Sequence, residues 1–388
     1  MTKKLNWDPC VWHRDDEADS FLSEYFASHD RNVLLIAGAG FDPRSTALCQ
    51  RLTSITTNLR ALFIQEQRPD PVNTLVARAA VNMKLLVDLV PNNTVLLINI
   101  FDYDNAVVGG RNTVKALSQQ SFVGITDVVV DISAMSIGTS YPLVRYLLER
   151  TAQVSNPRNL HLFVMPNAVL DESIVPIAGD TVGCVHGFRG GWSLDEKAAV
   201  AKLWLPQLAS GRQMPLQHIY DFVTPDDTCP ILPFPSTRPR LSDELAEIFL
   251  KELESTWEVD PRDIIYAAED DPLDLYRTIL RIDDLRRPVF EDFGGSLLVL
   301  SPTGSKILAL GALMAALERD LPVVYSESIG YAYAPTTSVE EVPEGVAPAE
   351  EMPVKLAPVG EKPPDFKFIH VWLEGDAYSS PRRENIKR

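Results

Sequence analysis

The chain lacks the features that mark several functional classes. Its 388 residues include only four cysteines, Cys10, Cys49, Cys184 and Cys229, set far apart with no CxxC pair. That fits reduced thiols in a cytoplasm better than a disulfide framework or a structural zinc. The six histidines show no HExxH or comparable spacing, so no metal site is expected. The longest strongly apolar run, Ile307 to Leu317, is well short of the ~20 residues of a membrane-spanning helix. Met1 to Asp19 carries five acids and no apolar stretch, so it does not read as a signal peptide. Positive charge is scarce as well: 36 Lys and Arg face 53 Asp and Glu, for a formal net charge of −17. Affinity for nucleic acid comes mainly from cations neutralising phosphates, so no long nucleic acid is expected as a partner. A local basic pocket remains compatible with this charge.

What is present is a globular composition. Hydrophobic residues make up 45% of the chain, enough for a sizeable core in each of two or three domains at roughly 100–200 residues apiece. Apolar runs begin near Val33, Ala61, Val95, Val128 and Leu160, separated by 28, 34, 33 and 32 residues. This is the spacing of βαβ units. Val33–Ala37, Val95–Ile98, Asp127–Val130 and Leu160–Val164 are continuous rather than alternating, as strands covered on both faces are. Helical spacing fills Ser45 to Ser54, Val72 to Leu89 and Ile137 to Thr151. Residues 1–165 therefore read as a Rossmann-like, doubly wound half.

From 166 to 241 prolines and glycines interrupt the pattern, leaving one expected helix from Ser193 to Leu205, and the stretch reads as an irregular connecting or lid segment. Residues 242–335 return to β-α-β-α-β order. Ser242 looks like an N-cap, strands are expected at Asp263–Ala267, Ser296–Leu300 and Pro322–Tyr325, and helices at Leu273–Ile282 and Ser305–Glu318. In 336–365 prolines recur every five residues among seven acidic and two basic residues, which reads as an acidic linker. Residues 366–388 begin with strand character that would dock back onto the body. The expected fold class is thus α/β: two Rossmann-like parallel-sheet halves joined by an irregular Pro/Gly-rich segment, with an acidic Pro-rich C-terminal linker. No residue-level repeat relates the halves.

Three turns could carry chemistry. In the first, Gly38 and Gly40 follow the first long strand and precede Asp42, Pro43, Arg44 and Ser45. Two glycines permit close backbone approach to a ligand, and a helix start favours an anion. Pro43 stands where a dinucleotide fingerprint has its third glycine. An internal Asp42–Arg44 ion pair is the structural alternative. In the second turn, Asp131 and Ser133 lie at a strand end, where carboxylates often act as acid, base or nucleophile. An Asp capping a helix is the plainer reading.

The third turn is Ser301, Pro302, Thr303, Gly304, Ser305 and Lys306, between a strand and a nearly all-apolar helix. A lysine in the first turn of a helix is electrostatically unfavourable unless an anion or a carboxylate answers it, so this turn suits a phosphate; a solvated lysine beside an ordinary βα turn is the plainer reading. It is not a Walker A loop, because the GxxxxGK[ST] spacing is absent. His186, Arg189 and Trp192 could form a polar lid, although a surface loop with Trp192 anchored in the core is the favoured reading, and Glu269, Asp270, Asp271 and Asp274 with Arg277 and Arg281 could form a ribose or metal site, although solvated helix-end charges explain that group better.

The Thr303, Gly304 and Lys306 turn, its small-residue helix and the following Val323–Tyr325 strand resemble CRISPR-associated Rossmann-fold (CARF) sensors and the related SAVED domains. The resemblance covers this turn and its flanks. It implies that Thr303, Gly304 and Lys306 contact a cyclic oligonucleotide messenger, and that the chain acts as a sensor or accessory component in prokaryotic antiviral defence. The paired halves are similar to the paired arrangement of SAVED domains.

The leading expectation is a cytoplasmic protein that binds a small anionic or nucleotide ligand between Gly38–Ser45 and Ser301–Lys306. Its binding residues would be Gly38, Gly40, Asp42, Arg44, Ser45, Ser133, Ser301, Thr303, Gly304, Ser305 and Lys306. A rival is a hydrolase or transferase acting on a nucleotide or glycosyl bond through Asp42 or Asp131. A third reading is a non-enzymatic subunit of a complex, contacting a protein partner through the acidic tail. No motif names a cofactor.

Overall fold

The computed structural model describes residues 6–69, 71–153, 158–190, 200–333 and 367–378. After β1 (Trp12–Arg14) and α1 (Asp15–Tyr25), strands and helices alternate as β2 (Val33–Gly38), α2 (Ala47–Thr53), β3 (Leu59–Gln67), α3 (Asn73–Leu89), β4 (Asn93–Asn99), α4 (Gly109–Ser118), β5 (Asp127–Asp131), α5 (Ile137–Gln153) and β6 (Asn159–Val164). The strands β2 to β6 are mutually parallel and lie in the order β4-β3-β2-β5-β6. β2, β5 and β6 are buried along their full length. This is the expected fate of unbroken Val, Ile and Leu runs with helices on both faces.

The chain continues through α6 (Ala168–Ser173) and β7 (Ile174–Cys184) into a second set: β8 (Ala201–Pro206), α7 (Gln213–Val223), β9 (Asp227–Thr228), β10 (Ile231–Pro233), α8 (Leu241–Ile248), β11 (Ile265–Ala267), α9 (Pro272–Phe290), β12 (Ser296–Ser301), α10 (Lys306–Arg319) and β13 (Val324–Tyr333). β8 runs parallel to β12 on one side and β9 on the other. A bridge from Gln207 to Ile231 brings β10 beside the end of β8, and one from Leu300 to Val323 brings the start of β13 beside β12. β10 pairs with β11. The order is therefore β11-β10-β8-β12-β13. In each half the five parallel strands lie as third, second, first, fourth, fifth, so the halves repeat one topology without repeating sequence.

The halves also exchange strands. β7 follows β6 in the chain but pairs antiparallel with β13. The last strand, β14 (Ile369–Glu374), follows β13 but pairs antiparallel with β6, and β1 adds to its outer edge. Each fifth strand is thus closed by a strand that follows the other half. One hydrophobic core runs across both, joining Leu34, Val130 and Leu143 to Leu298, Leu310 and Met314. Tyr141 on α5 donates to the Ala309 carbonyl on α10 at 2.5 Å. Among the described residues no helix is long and apolar enough to cross a membrane.

Three expectations change. The 166–241 stretch is not an irregular connection: it supplies the edge strand β7, the central strand β8 and the helix α7. Of the helix expected over 193–205, residues 193–199 lie outside the described residues and Ala201–Leu205 is strand, with Leu203, Trp204 and Leu205 buried. The prolines sit where strands stop or helices start: Pro206 ends β8, Pro215 lies in the first turn of α7, and Pro233 ends β10. Ser242 does not cap α8; it lies inside the helix and donates to the Pro233 carbonyl at 2.6 Å. The acidic linker of 336–365 falls outside the described residues.

Candidate functional site

In a doubly wound sheet the crevice opens at the carboxyl ends of the strands where the order reverses, between the first and fourth strands. Those positions are β2 and β5 in one half and β8 and β12 in the other. All four loops that leave these strands line a single cavity of about 720 Å³: Gly38–Asp42, Ser133–Ile137, Leu208–Arg212 and Pro302–Lys306. The duplicated switch points therefore open on the same space. Apolar side chains of α3, among them Leu75 and Val76, form one wall, and Leu241, Leu245 and Ile248 of α8 form another. The rings of Phe41 and Tyr331, both on the wall, lie 5.5 Å apart.

The first turn is locked from within. Asp42 accepts the Arg44 backbone N–H at 2.9 Å and takes the guanidinium through Nε at 3.0 Å and Nη2 at 2.7 Å. Asp171 of α6 binds the same Nη2 at 2.8 Å, and Nη1 donates to the Met165 carbonyl. Arg44 is only 2% exposed. The structural alternative is the one found: Arg44 is committed to two carboxylates and is not a free cation for a ligand. Asn82 of α3 ties the turn down by donating to the carbonyls of Gly40 and Asp42. Gly38 serves packing, since a Cβ there would meet the Ala134 carbonyl oxygen at 2.9 Å, whereas Gly40 faces open space within the cavity. Ser45 is buried, donates weakly to the Gly40 carbonyl at 3.5 Å, and does not line the cavity.

The second turn holds its carboxylate out of reach. Asp131 accepts the Ser133 backbone N–H at 3.0 Å and the Ser133 hydroxyl at 2.5 Å, is buried, and does not line the cavity. Burial pushes its pKa up to about 6 against the Ser133 hydrogen bonds, with Asp42 adding to the rise. Ser133 lines the cavity, but its hydroxyl is occupied by Asp131 and by the Met165 N–H.

The third turn is the open one. Ser301 is fully buried, accepts the Trp204 indole N–H and donates to the Val324 carbonyl, and so belongs to the core. Thr303 donates to the Gln207 carbonyl at 2.6 Å, and the Gly304 N–H reaches the Gln207 side chain. Ser305 caps α10 by accepting from the Leu308 N–H. The amides of the first helical turn have no intrahelical acceptor. Lys306 then extends from this helix start across the cavity and donates to the Met135 carbonyl of the opposite half at 2.6 Å. Burial, and then Arg44, hold its pKa below the usual lysine value, against the pull of Asp171, Asp42 and Glu66.

Two groups on the wall carry no local sequence signal. One is Arg212, at the start of α7 after β8. The other is a cluster at the end of β3: the Arg68 guanidinium lies 2.8 Å from Glu66 and 2.9 Å from Glu327 of β13, donates to the Ser328 carbonyl, and sits over the Tyr331 ring. Glu66 accepts both the N–H and the hydroxyl of Ser136 at 2.9 Å. Burial opposes its charge, but Arg68 and Ser136 outweigh it and hold its pKa below the usual value. Glu327 goes the other way, raised by burial despite Arg68.

Of the basic side chains on the wall, Arg44, Arg68 and Arg238 are each ion-paired. Lys306 and Arg212 carry no ion pair among the described residues. Every carboxylate on the wall is engaged: Asp42 and Asp171 by Arg44, Glu66 by Arg68 and Ser136, Glu244 by Arg238, and Glu269 by Ser236 and Thr237. The wall carries five basic side chains and five carboxylates and so has no formal net charge, but two of its cations, Lys306 and Arg212, are without an ion pair among the described residues, and these are the groups that suit an anion.

Of the remaining sequence candidates Glu269 lines the cavity, held by Ser236 and Thr237, and the others do not join the site. His186 and Arg189 are exposed and away from the cavity, and Trp192 lies outside the described residues. Asp271 caps α9, Asp274 accepts the Ala268 N–H, and Asp270 pairs with Arg14. Among the described residues no cluster of His, Cys, Asp or Glu is set to hold a metal ion.

No protein-family model and no curated protein matches the chain. Among solved structures, a universal stress protein from Archaeoglobus fulgidus is similar at 9% identity and a TM-score of 0.22, covering 77% of this chain and 97% of that one. The α/β class rests on the strand order itself.

Proposed function

We propose that the chain is a cytoplasmic protein that binds a nucleotide or another phosphate-bearing small molecule in the cavity between its halves. The observation that carries this reading is Lys306: a cation without an ion pair among the described residues, at the start of α10, in a cavity onto which both switch points open. Helix starts and lysines are ready anion binders, and the apolar walls with the Phe41–Tyr331 pair suit the body of a nucleoside. Cys10, Cys49, Cys184 and Cys229 form no disulfide with one another, which fits a reducing compartment. The similarity of the Thr303–Lys306 turn to CARF and SAVED sensors supports a sensing or accessory role in prokaryotic defence. A hydrolase using Asp42 or Asp131 has less support, because Asp42 is spent on Arg44 and Asp131 on Ser133.

Calorimetric titration with mononucleotides, linear and cyclic oligonucleotides and inorganic phosphate tests the reading. Binding by the native protein that weakens tenfold or more in Lys306→Met is expected. Absence of binding to the whole panel would refute it.

A further inference from the structure

β4 is an open edge of the first sheet: it pairs with β3 on one side and with no described residue on the other. The other edge strands carry the devices that keep sheets from joining. β1 and β11 are three residues long, and β7 contains Pro176 and Asp180 and shifts register against β13. β4 has none of these. Asn93–Asn99 runs in unbroken register, and no charged residue occurs from Leu89 to Phe101 in a chain of which 23% is charged. Leu97 is 65% exposed. It shares a strand face with Val95, which joins Leu86 of α3 in one core cluster, and Val81, Leu85 and Val87 of α3 are exposed as well.

The open edge is complementary to itself. At the two ends of β4 the Asn92 carbonyl accepts from Ala61 and the Ile100 N–H donates to Gln67, both on β3. Alternate residues of a parallel ladder turn both backbone groups to the same neighbour, so Asn93, Val95, Leu97 and Asn99 turn theirs to the open side. Only the Asn99 carbonyl is answered there among the described residues, by the Asn112 side chain at 2.9 Å. A second copy placed by a two-fold axis at Leu96 runs antiparallel and sets Val95 against Leu97 and Asn93 against Asn99. Outward groups then meet outward groups, and the polar ends meet each other. Charge selects the same occupant. Two copies at −17 each repel over most of their surface, but this edge is neutral. The exposed charged residues of α3, Lys84 and Asp88, are of opposite sign and lie 3.7 Å apart, so they add no net charge.

We propose that two copies of the chain join through β4, antiparallel about a two-fold axis at Leu96, so that their first sheets become one continuous sheet. The second copy's Val95 covers Leu97, and the ladder satisfies the outward groups of both strands. This interface does not depend on what the cavity binds.

Sedimentation velocity on the full chain at micromolar concentration should give the mass of two copies. Leu97→Lys alters an exposed side chain and sets two lysines beside the axis, so it should sediment as one copy with the native melting temperature. Tyr266→Lys, at the equivalent edge of the second half, should stay at two copies. A native chain that sediments as one copy overturns the proposal, and so does Leu97→Lys at two copies or Tyr266→Lys at one. Should Leu97→Lys not fold, Val95→Pro removes only an outward N–H and should give the same loss. The register has its own readout. In a non-hydrogen-bonded antiparallel pair the Cα atoms lie about 4.5 Å apart, within disulfide reach. Leu96→Cys should therefore cross-link to its own copy under mild oxidation well above the level of the native chain, and Leu97→Cys should not. Equal cross-linking of the two, or none above the native level, overturns the axis at Leu96.

Discussion

Nδ1 of His13 lies 2.9 Å from Nδ1 of His370. From there the contact continues inward: Nε2 of His370 is 3.0 Å from Nδ1 of His161, and Nε2 of His161 is 3.3 Å from Asp127. If the Asp127 carboxylate accepts, His161 carries its proton on Nε2. His370 then carries its proton on Nε2 and His13 on Nδ1. Three neutral imidazoles satisfy the chain with no proton to spare, and they pin β14 between β1 and β6.

This chain predicts acid sensitivity. Burial holds the pKa of His370 far below the usual value, with His161 and His13 adding to it. Burial lowers His161 against the pull of Asp127, with Arg31 and His13 lowering it further, and lowers His13 against Glu17. Each folded value lies below the unfolded one near 6.5, so the unfolded chain takes up protons first. Stability should be full above about pH 6.5 and fall below it, by about 1.4 kcal/mol per pH unit for each proton taken up. Denaturant unfolding at pH 7.5 and 5.5 measures the slope. His370→Phe should flatten it; an unchanged slope would remove the histidines from the explanation.

Lys306 predicts a trade of stability against binding. Its ammonium is part-buried with a carbonyl as partner and no ion pair among the described residues, and its pKa is held down mainly by burial. Lys306→Met removes that cost and keeps the stem volume. The variant should unfold at a higher temperature, by about 0.5–2 kcal/mol in stability, while losing phosphate binding. A variant that is less stable and binds as before would show that the lysine is structural.

Arg44 predicts the opposite. It is 2% exposed and joins Asp42 to Asp171 across the first turn. Truncation to Ala leaves two carboxylates facing each other without a cation, a loss of about 3–5 kcal/mol. Any weakening of ligand affinity should then accompany a lowered unfolding midpoint, and Arg44→Ala with Asp42→Asn should recover part of it. Normal stability with abolished binding would instead return Arg44 to the ligand.

The sequence announces the elements whose signal is local. Continuous runs such as Val33–Ala37 mark the buried parallel strands, and glycine, serine and lysine at a strand end mark the Ser301–Lys306 turn. β8 was hidden because Leu203, Trp204 and Leu205 form an apolar run too short to separate strand from helix, beside prolines that suggest a loop. The exchange of β7 and β14 is decided by pairing across more than a hundred residues and leaves no periodicity to read. The same holds within the cavity. Glu66, Arg68 and Arg212 look like ordinary surface charges at or beyond a strand end, and only the facing of the two sheets turns them inward. Arg44 and Asp131 were legible as strand-end charges, but partners such as Asp171 decide their role.

The exchange of strands makes the last prediction. β14 and its approach bury Phe368, Ile369, Val371, Trp372 and Leu373, each 7% exposed or less. At about 1.5–3 kcal/mol for each buried side chain, their removal is comparable to the 5–15 kcal/mol that holds a whole domain folded. A chain ending at Phe366 also bares the edge of β6, an invitation to aggregation. It should therefore be insoluble or unfold well below the native midpoint. Replacing 336–365 with a Gly/Ser linker of equal length, with β14 kept, should leave the midpoint within a few degrees. The truncation and the linker exchange separate docking from partner contact: if the acidic stretch recruits a protein, the linker exchange abolishes copurification without unfolding the chain. A chain ending at Phe366 that melts at the native temperature would show that β14 contributes nothing to the closure of the first sheet.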